Sequence, residues 1–118
     1  MNQTEDFNQY RSRMNSRLLE TGDKIIRRIF NLDTNAYEEG HLDKRTKELI
    51  GLACSLVLRC DDCVKYHLGK CFDLKIDTKQ VVETMSVTTL IGGTIVIPHL
   101  RRGMDYWDEL NKHVSERS

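Results

Sequence analysis

Apolar positions recur at helical spacing along almost the whole chain. Between residues 5 and 30, Phe7, Tyr10, Met14 and Leu18 are followed by Ile25, Ile26, Ile29 and Phe30, a helix-period stripe that Thr21-Gly22-Asp23 interrupts. Asn31 to His41 (NLDTNAYEEGH) loses the period and reads as a connection. Asp43 suits the N-cap of a second helix beginning at Lys44. Its run Leu49 to Leu58 (LIGLACSLVL) is apolar on every side, which predicts burial all round, by several neighbours or by a partner chain. The pattern turns polar near 59–61, and a third helix then carries Val64, His67, Leu68, Cys71 and Phe72. Asp77 and Gln80 spell a capping box for a fourth helix, Thr78 to Ile91, which Gly92-Gly93 ends. The last helix is expected from about Thr94 to Val114, with Ile97, Leu100, Met104, Trp107 and Val114 on one side and Pro98 tolerated in its first turn. Val, Ile and Thr crowd positions 87–97 as in a strand, but the helical stripe continuing past Pro98 decides against one. The expected fold is all-α: one compact bundle of about five helices, a single domain over residues 1–118.

Composition narrows the function classes. The chain has 18 Lys+Arg and 18 Asp+Glu, a net charge of zero. A general nucleic-acid binder needs an excess of cations to displace counterions, so none is expected. A neutral chain also has no long-range repulsion between copies. The longest apolar run is the ten residues from Leu49 to Leu58, half the roughly 20 needed to span a membrane. Residues 1–20 carry Glu5, Asp6, Arg11, Arg13, Arg17 and Glu20 and have no apolar segment of the kind an export signal uses. A cytoplasmic protein is therefore expected. Four cysteines in such a chain point to catalytic or metal-binding thiols rather than to a secreted disulfide scaffold.

The chemistry is concentrated in Cys60-Asp61-Asp62-Cys63-Val64-Lys65-Tyr66-His67. Two cysteines three apart at a helix start can close a disulfide or stand as two thiols, one of them activated, because unpaired N–H groups there favour a thiolate. His67 follows Cys63 by four residues and shares its helix face, where it can take the thiol proton or supply a cation. Asp61 and Asp62 oppose thiolate formation and make a base more necessary. Cys60, Cys63, His67 and Cys71 are also candidate zinc ligands. On one straight helix Cys60 and Cys71 would lie about 16 Å apart, so the four cannot share an ion, although Cys60, Cys63 and His67 could. Cys54, in the apolar run, reads as a small core residue, and Cys71 as structural. His41, His99 and His113 read as surface or cap residues. Glu48 is either a solvated first-turn acid or, if buried, a group that needs a partner and could relay protons.

Glu48, Cys60, Cys63 and His67 together spell E-x11-C-x2-C-x3-H. With Asp43-Lys44-Arg45-Thr46-Lys47-Glu48-Leu49 before it and Gly92-Gly93 after it, this resembles the alkylhydroperoxidase D-like branch of the carboxymuconolactone decarboxylase family over about residues 36–110. The resemblance implies an all-helical fold assembling as trimers or hexamers, the hexamer being favoured, and a thiol-dependent peroxidase needing no metal, haem or flavin. In that scheme Cys63 is the peroxidatic thiol, Cys60 resolves it as a disulfide, and Glu48 and His67 relay protons. A small-molecule hydroperoxide is the substrate, and a dithiol protein or small thiol the reductant. The best-known peroxidase of the branch has a histidine where this chain has Asp62, a departure that bears on the relay and the reductant. Two other readings of the scaffold stay open: a helical oligomer whose cysteine pair is structural or redox-sensing, and an acid–base isomerase or decarboxylase using His67 and Glu48. A tight hairpin near residue 60 would put Glu48 roughly 16–18 Å and His67 roughly 10 Å from the turn. Their meeting is thus expected to need a shortened or bent helix, or a partner chain.

Overall fold

The computed structural model describes the backbone of residues 2–117 and the side chains of residues 2–112. The readings of His113 and Val114 lie outside the described side chains. Helices account for nearly all of the described chain: α1 (Gln3–Thr21), α2 (Lys24–Ala36), α3 (Lys44–Val57), α4 (Asp61–Asp73), α5 (Thr78–Gly92) and α6 (Ile97–Arg117), with a 3₁₀ turn at Thr94–Val96. No strand occurs among the described residues.

The all-α expectation holds, with six helices where about five were expected. Residues 5–30 form no single helix. The Gly22 backbone is extended, and Asp23 caps a new helix by accepting from the N–H groups of Ile25 and Ile26. A β-carbon at Gly22 would lie 2.4 Å from the Leu18 carbonyl oxygen, so the tight exit from α1 requires glycine. α2 then continues to Ala36, through half of the segment read as a connection. Lys47 extends this helix's reach, its Nζ donating to the carbonyls of Ala36 (2.9 Å) and Glu38 (2.6 Å). The last helix begins at Ile97 rather than Thr94, because Gly93, at φ +86°, leads first into the 3₁₀ turn.

The expected caps form. Asp43 accepts from the Thr46 N–H at 2.7 Å. Asp77 and Gln80 make the reciprocal pair of the capping box. α3 and α4 make a hairpin, α5 packs on α3, and α6 packs on α4 and carries α1. One core lies among them, built from Leu52, Leu56, Val64, Leu68, Val81, Tyr106 and Trp107. The Trp107 ring N–H is satisfied by the Thr78 hydroxyl at 3.0 Å, which ties α6 to the start of α5.

The all-round burial expected for Leu49–Leu58 does not occur within one chain. Leu52 and Leu56 are fully buried, but Ile50 is exposed, Leu58 is 77% exposed, and Cys54 faces outward rather than into the core. α4 and α5 are the helices packed most extensively on α3, and Ile50, Cys54 and Leu58 stay exposed on it. Cys71 is buried in the core as expected. No described helix is long and apolar enough to cross a membrane.

Candidate active site

The hairpin of α3 and α4 builds the site. α3 stops at Val57, and Arg59, at φ +59°, reverses the chain. Cys60 is the N-cap of α4, with Asp61, Asp62 and Cys63 forming its first turn. Cys60 and Cys63 are joined as a disulfide, their Cα atoms 5.3 Å apart, within the ordinary range for such bridges. The Cys63 N–H also points at the Cys60 sulfur, at 3.4 Å. The sulfurs therefore sit where the unpaired N–H groups of a helix start favour negative charge. Cys63 is exposed, and Cys60 is partly covered.

One turn further along α4, His67 points inward and is only 7% exposed. Its Nδ1 lies 2.8 Å from Glu48 Oε2, and Glu48 is 5% exposed. Of the two readings of Glu48, the buried and partnered one holds. The expectation that a simple hairpin would keep Glu48 and His67 apart is overturned. They meet within one chain, and α3 runs unbroken from Lys44 to Val57. Measured from the helix ends, Glu48 lies about 13 Å before Val57 and His67 about 9 Å after Asp61. Two long side chains span that offset.

Gly51 permits the approach. A β-carbon there would fall 2.5 Å from His67 Cε1, 2.7 Å from Nδ1 and 2.8 Å from Nε2. The imidazole thus lies with its nitrogen-bearing edge against the bare backbone of α3. Tyr37, just past the end of α2, places its hydroxyl 3.4 Å from Nε2. Burial, reinforced by the negative charge of Glu48, pushes the Tyr37 hydroxyl above its ordinary range, so it keeps its proton. Tyr66 stands edge-on to the same ring. Burial raises its hydroxyl as well, only partly opposed by Arg11, whose guanidinium sits 4.0 Å over the Tyr66 ring.

A cavity of about 660 Å³ opens on Cys63 and His67. Its far wall is α1, through Phe7, Tyr10, Arg11 and Met14. The two acids that follow Cys60 separate in role. Asp61 accepts from His99 Nδ1 at 2.7 Å and from Arg102 Nε at 2.9 Å. Burial alone would raise its carboxyl, but these two bonds outweigh that and hold it below its ordinary range. Its charge is thereby largely cancelled, while Asp62 stays exposed at the cavity rim. His99 is a largely buried hydrogen-bond partner of Asp61 rather than a free surface group. Cys71 lies in the core, and burial pushes its thiol up to about 12, with Glu48 adding to the effect. It is inert and apart from the pair.

The four residues singled out from the sequence fall into two adjoining pairs, Cys60–Cys63 and Glu48–His67, linked through α4. No group of three His, Cys, Asp or Glu placed to hold a metal ion occurs among the described residues. In the suggested set of Cys60, Cys63 and His67, the sulfurs bind each other and both ring nitrogens carry protein partners. Sequence reasoning missed Tyr37, Gly51 and the α1 wall. Gly51 had a usable signal, a lone glycine in an apolar helical run, which marks close backbone approach. Tyr37 lay in a stretch with no periodicity to place it.

An all-helical domain with a cysteine pair at a helix start, beside a buried Glu–His pair, is the class that fold and site define. The carboxymuconolactone decarboxylase family model matches residues 24–105, and the chain belongs to that family. It is similar to TM1620 of Thermotoga maritima, 40% identical, with a TM-score of 0.93 over 95% of this chain and 98% of that one. A second crystal structure of TM1620, with a TM-score of 0.91 over 94% of each chain, describes it as a carboxymuconolactone decarboxylase family protein with a suspected antioxidative role. The fold also matches lpg0406, a family protein of Legionella pneumophila, with a TM-score of 0.85 at 19% identity over 93% of this chain and 98% of that one. A protein of Cupriavidus necator is 29% identical over 76 residues, covering 64% of this chain and 67% of that protein.

Proposed function

We propose that the protein is a thiol-dependent peroxidase whose electrons pass through Cys63 and Cys60. The observation that carries this reading is the cysteine pair itself: a disulfide at a helix start, its Cys63 exposed to a cavity that also reaches His67. In the reduced enzyme, the Cys63 thiolate attacks the outer oxygen of a hydroperoxide. The O–O bond breaks, an S–O bond forms, and the leaving alkoxide takes a proton to become an alcohol. Cys60 then attacks the Cys63 sulfur and expels the hydroxyl, which leaves as water with a second proton. A dithiol protein or small thiol reduces the disulfide by exchange and is itself oxidised.

Glu48 and His67 serve as the proton relay. An acceptor carboxylate on Nδ1 puts the basic lone pair of the ring on Nε2, beside the Tyr37 hydroxyl, so the pair can take up the thiol proton and return it to the leaving oxygen. The paired Asp61 supports the same reading, since one of the two charges that would oppose the thiolate is offset by Arg102. We place the enzyme in the cytoplasm, where thiol donors are kept reduced, and as a homo-oligomer, a hexamer rather than a trimer.

Single cysteine variants test the assignment. Cys63→Ser should abolish peroxide consumption and sulfenic-acid trapping. Cys60→Ser should still form the sulfenic acid at Cys63 and then accumulate over-oxidised or mixed-disulfide protein. Trapping at Cys60 in the first variant and none in the second would reverse the roles. Full activity in both would favour acid–base chemistry by Glu48 and His67.

A further inference from the structure

His67 is nearly sealed from water, and both of its ring nitrogens are already taken. Glu48 holds Nδ1 at 2.8 Å and Tyr37 holds Nε2 at 3.4 Å. The two partners differ in kind. An ionised carboxylate only accepts, so Nδ1 carries a proton whether the ring is neutral or cationic. A phenol both donates and accepts. Toward the neutral ring the Tyr37 O–H donates to the Nε2 lone pair. Toward the imidazolium the hydroxyl turns and accepts from Nε2–H. Tyr37, whose hydroxyl meets Nε2, can satisfy it in both charge states.

The placement adds direction. Nδ1 points along α3 toward Glu48, one turn before Gly51, and Cε1 abuts Gly51. Nε2 therefore points away from Glu48. Tyr37 and Glu48 also line a second cleft of about 370 Å³, with Lys70 and Asp73 at its wall, which adjoins the cavity of Cys63 through the shared residues Asp33 and Tyr66. His67 lines the cavity that holds the thiol, and its two partners line the adjoining cleft.

We infer that Tyr37 is a positioning residue for the thiol chemistry: it completes the hydrogen bonding of His67 in both charge states, letting a buried ring take up a proton and stand as a cation one turn from the Cys63 thiolate. This rests on the Cys63 reading above. The Cys63 thiol loses its proton to solvent in its cavity, while the Tyr37 hydroxyl passes its own proton to Nε2, takes another from the cleft and so ends as the acceptor of Nε2–H. No other bond changes. Without the hydroxyl, the imidazolium would bury an unpaired N–H, a costly state that opposes the transfer. The charged and titratable groups around the ring are Glu48 and Cys54 on α3, Asp33 and Tyr37 from α2, Arg11 on α1, and Cys63, Tyr66 and Lys70 on α4.

The test needs no peroxide turnover. Wild-type and Tyr37→Phe proteins are reduced, and alkylation of Cys63 by iodoacetamide is followed against pH at the Cys63 peptide by mass spectrometry. Tyr37→Phe should move the alkylation midpoint upward by about one pH unit, a tenfold loss of thiolate at fixed pH, with helical content unchanged. An unmoved or lowered midpoint would overturn the role of Tyr37 while leaving the peroxidase reading standing. The expected shift in a protein whose wild type consumes no peroxide would overturn the peroxidase reading alone. If the variant does not fold, nitrogen-15 spectra of the wild type decide. They should show a neutral His67 protonated on Nδ1 with Nε2 accepting, and a proton on Nε2 with Nδ1 bare would overturn the inference.

Discussion

At the scale of single residues, the site depends on what Gly51 lacks. The His67 ring occupies the volume that a β-carbon at 51 would need. Gly51→Ala should therefore push His67 off Glu48 while leaving the hairpin in place, because alanine favours a helix over glycine by about 1 kcal/mol. The expected outcome is a protein that keeps its helical content but melts lower, since the clash and the unpaired Glu48 outweigh alanine's helix preference, with peroxide reduction slowed by about 10²-fold or more, in the range of a lost acid–base group. Circular dichroism melting and a peroxide-consumption assay on the same sample check both halves. Glu48, Cys60, Cys63 and His67 were all legible in the sequence because their spacing is a pattern in one dimension. Tyr37 was not, since its role depends on where the end of α2 meets α4, which no local period encodes. Cys54 misled for a related reason. An apolar run says that neighbours are needed, but not which side of it they take.

At the scale of elements, the start of α4 is held by a contact that ties chemistry to packing. Asp61 joins the helix that carries Cys63 to His99 and Arg102 on α6. Its carboxyl lies below the ordinary range, so its contribution to stability is complete above the unfolded value of about 3.9 and is lost as pH falls through the lower folded value. Asp61→Asn should lower the melting temperature at pH 6, and the gap to wild type should close as pH drops below about 4. Melting curves across that range check the sign, and a gap that widens in acid would contradict it. The element boundaries show what a sequence reveals at this level. Asp43, Asp77 and Gln80 marked two helix starts correctly, because caps are made of adjacent side chains. The end of α2 was read too early, because Lys47, eleven residues beyond Ala36, helps hold that helix's last carbonyls.

At the scale of the molecule, one chain is too open for its mass. Its accessible surface is 8036 Å², against about 6,600 Å² for a folded monomer of 13.8 kDa. Its radius of gyration is 15.0 Å, against about 13.5 Å for a compact chain of this length. Much of the exposed apolar surface lies in two places. On α2, which buries no side chain, Ile25, Ile29 and Leu32 stand exposed at helical spacing. At the other, Val87, Ile91, Ile95 and Leu58 are exposed with Leu90, which is 87% exposed. In the proposed assembly this surface would lie between subunits, where burial contributes roughly 25 cal/mol per Å². Light scattering of the reduced protein at micromolar concentration should give a mass near six chains. A mass near one chain would contradict the assembly. Replacing Leu90 and Ile91 with Lys should lower the mass without unfolding the core, since neither side chain enters it.

The central claim is that Cys63 and Cys60 reduce hydroperoxides, and a single turnover tests it most directly. Fully reduced protein is mixed with one equivalent of an organic hydroperoxide, quenched with an alkylating agent at intervals, and mapped by mass spectrometry. The account predicts one Cys60–Cys63 disulfide and one alcohol per chain, formed at least 10²-fold faster than with a free dithiol at the same pH, with Cys71 untouched. Disulfide formation no faster than in the free dithiol, or oxidation that falls first on exposed Cys54, would contradict it.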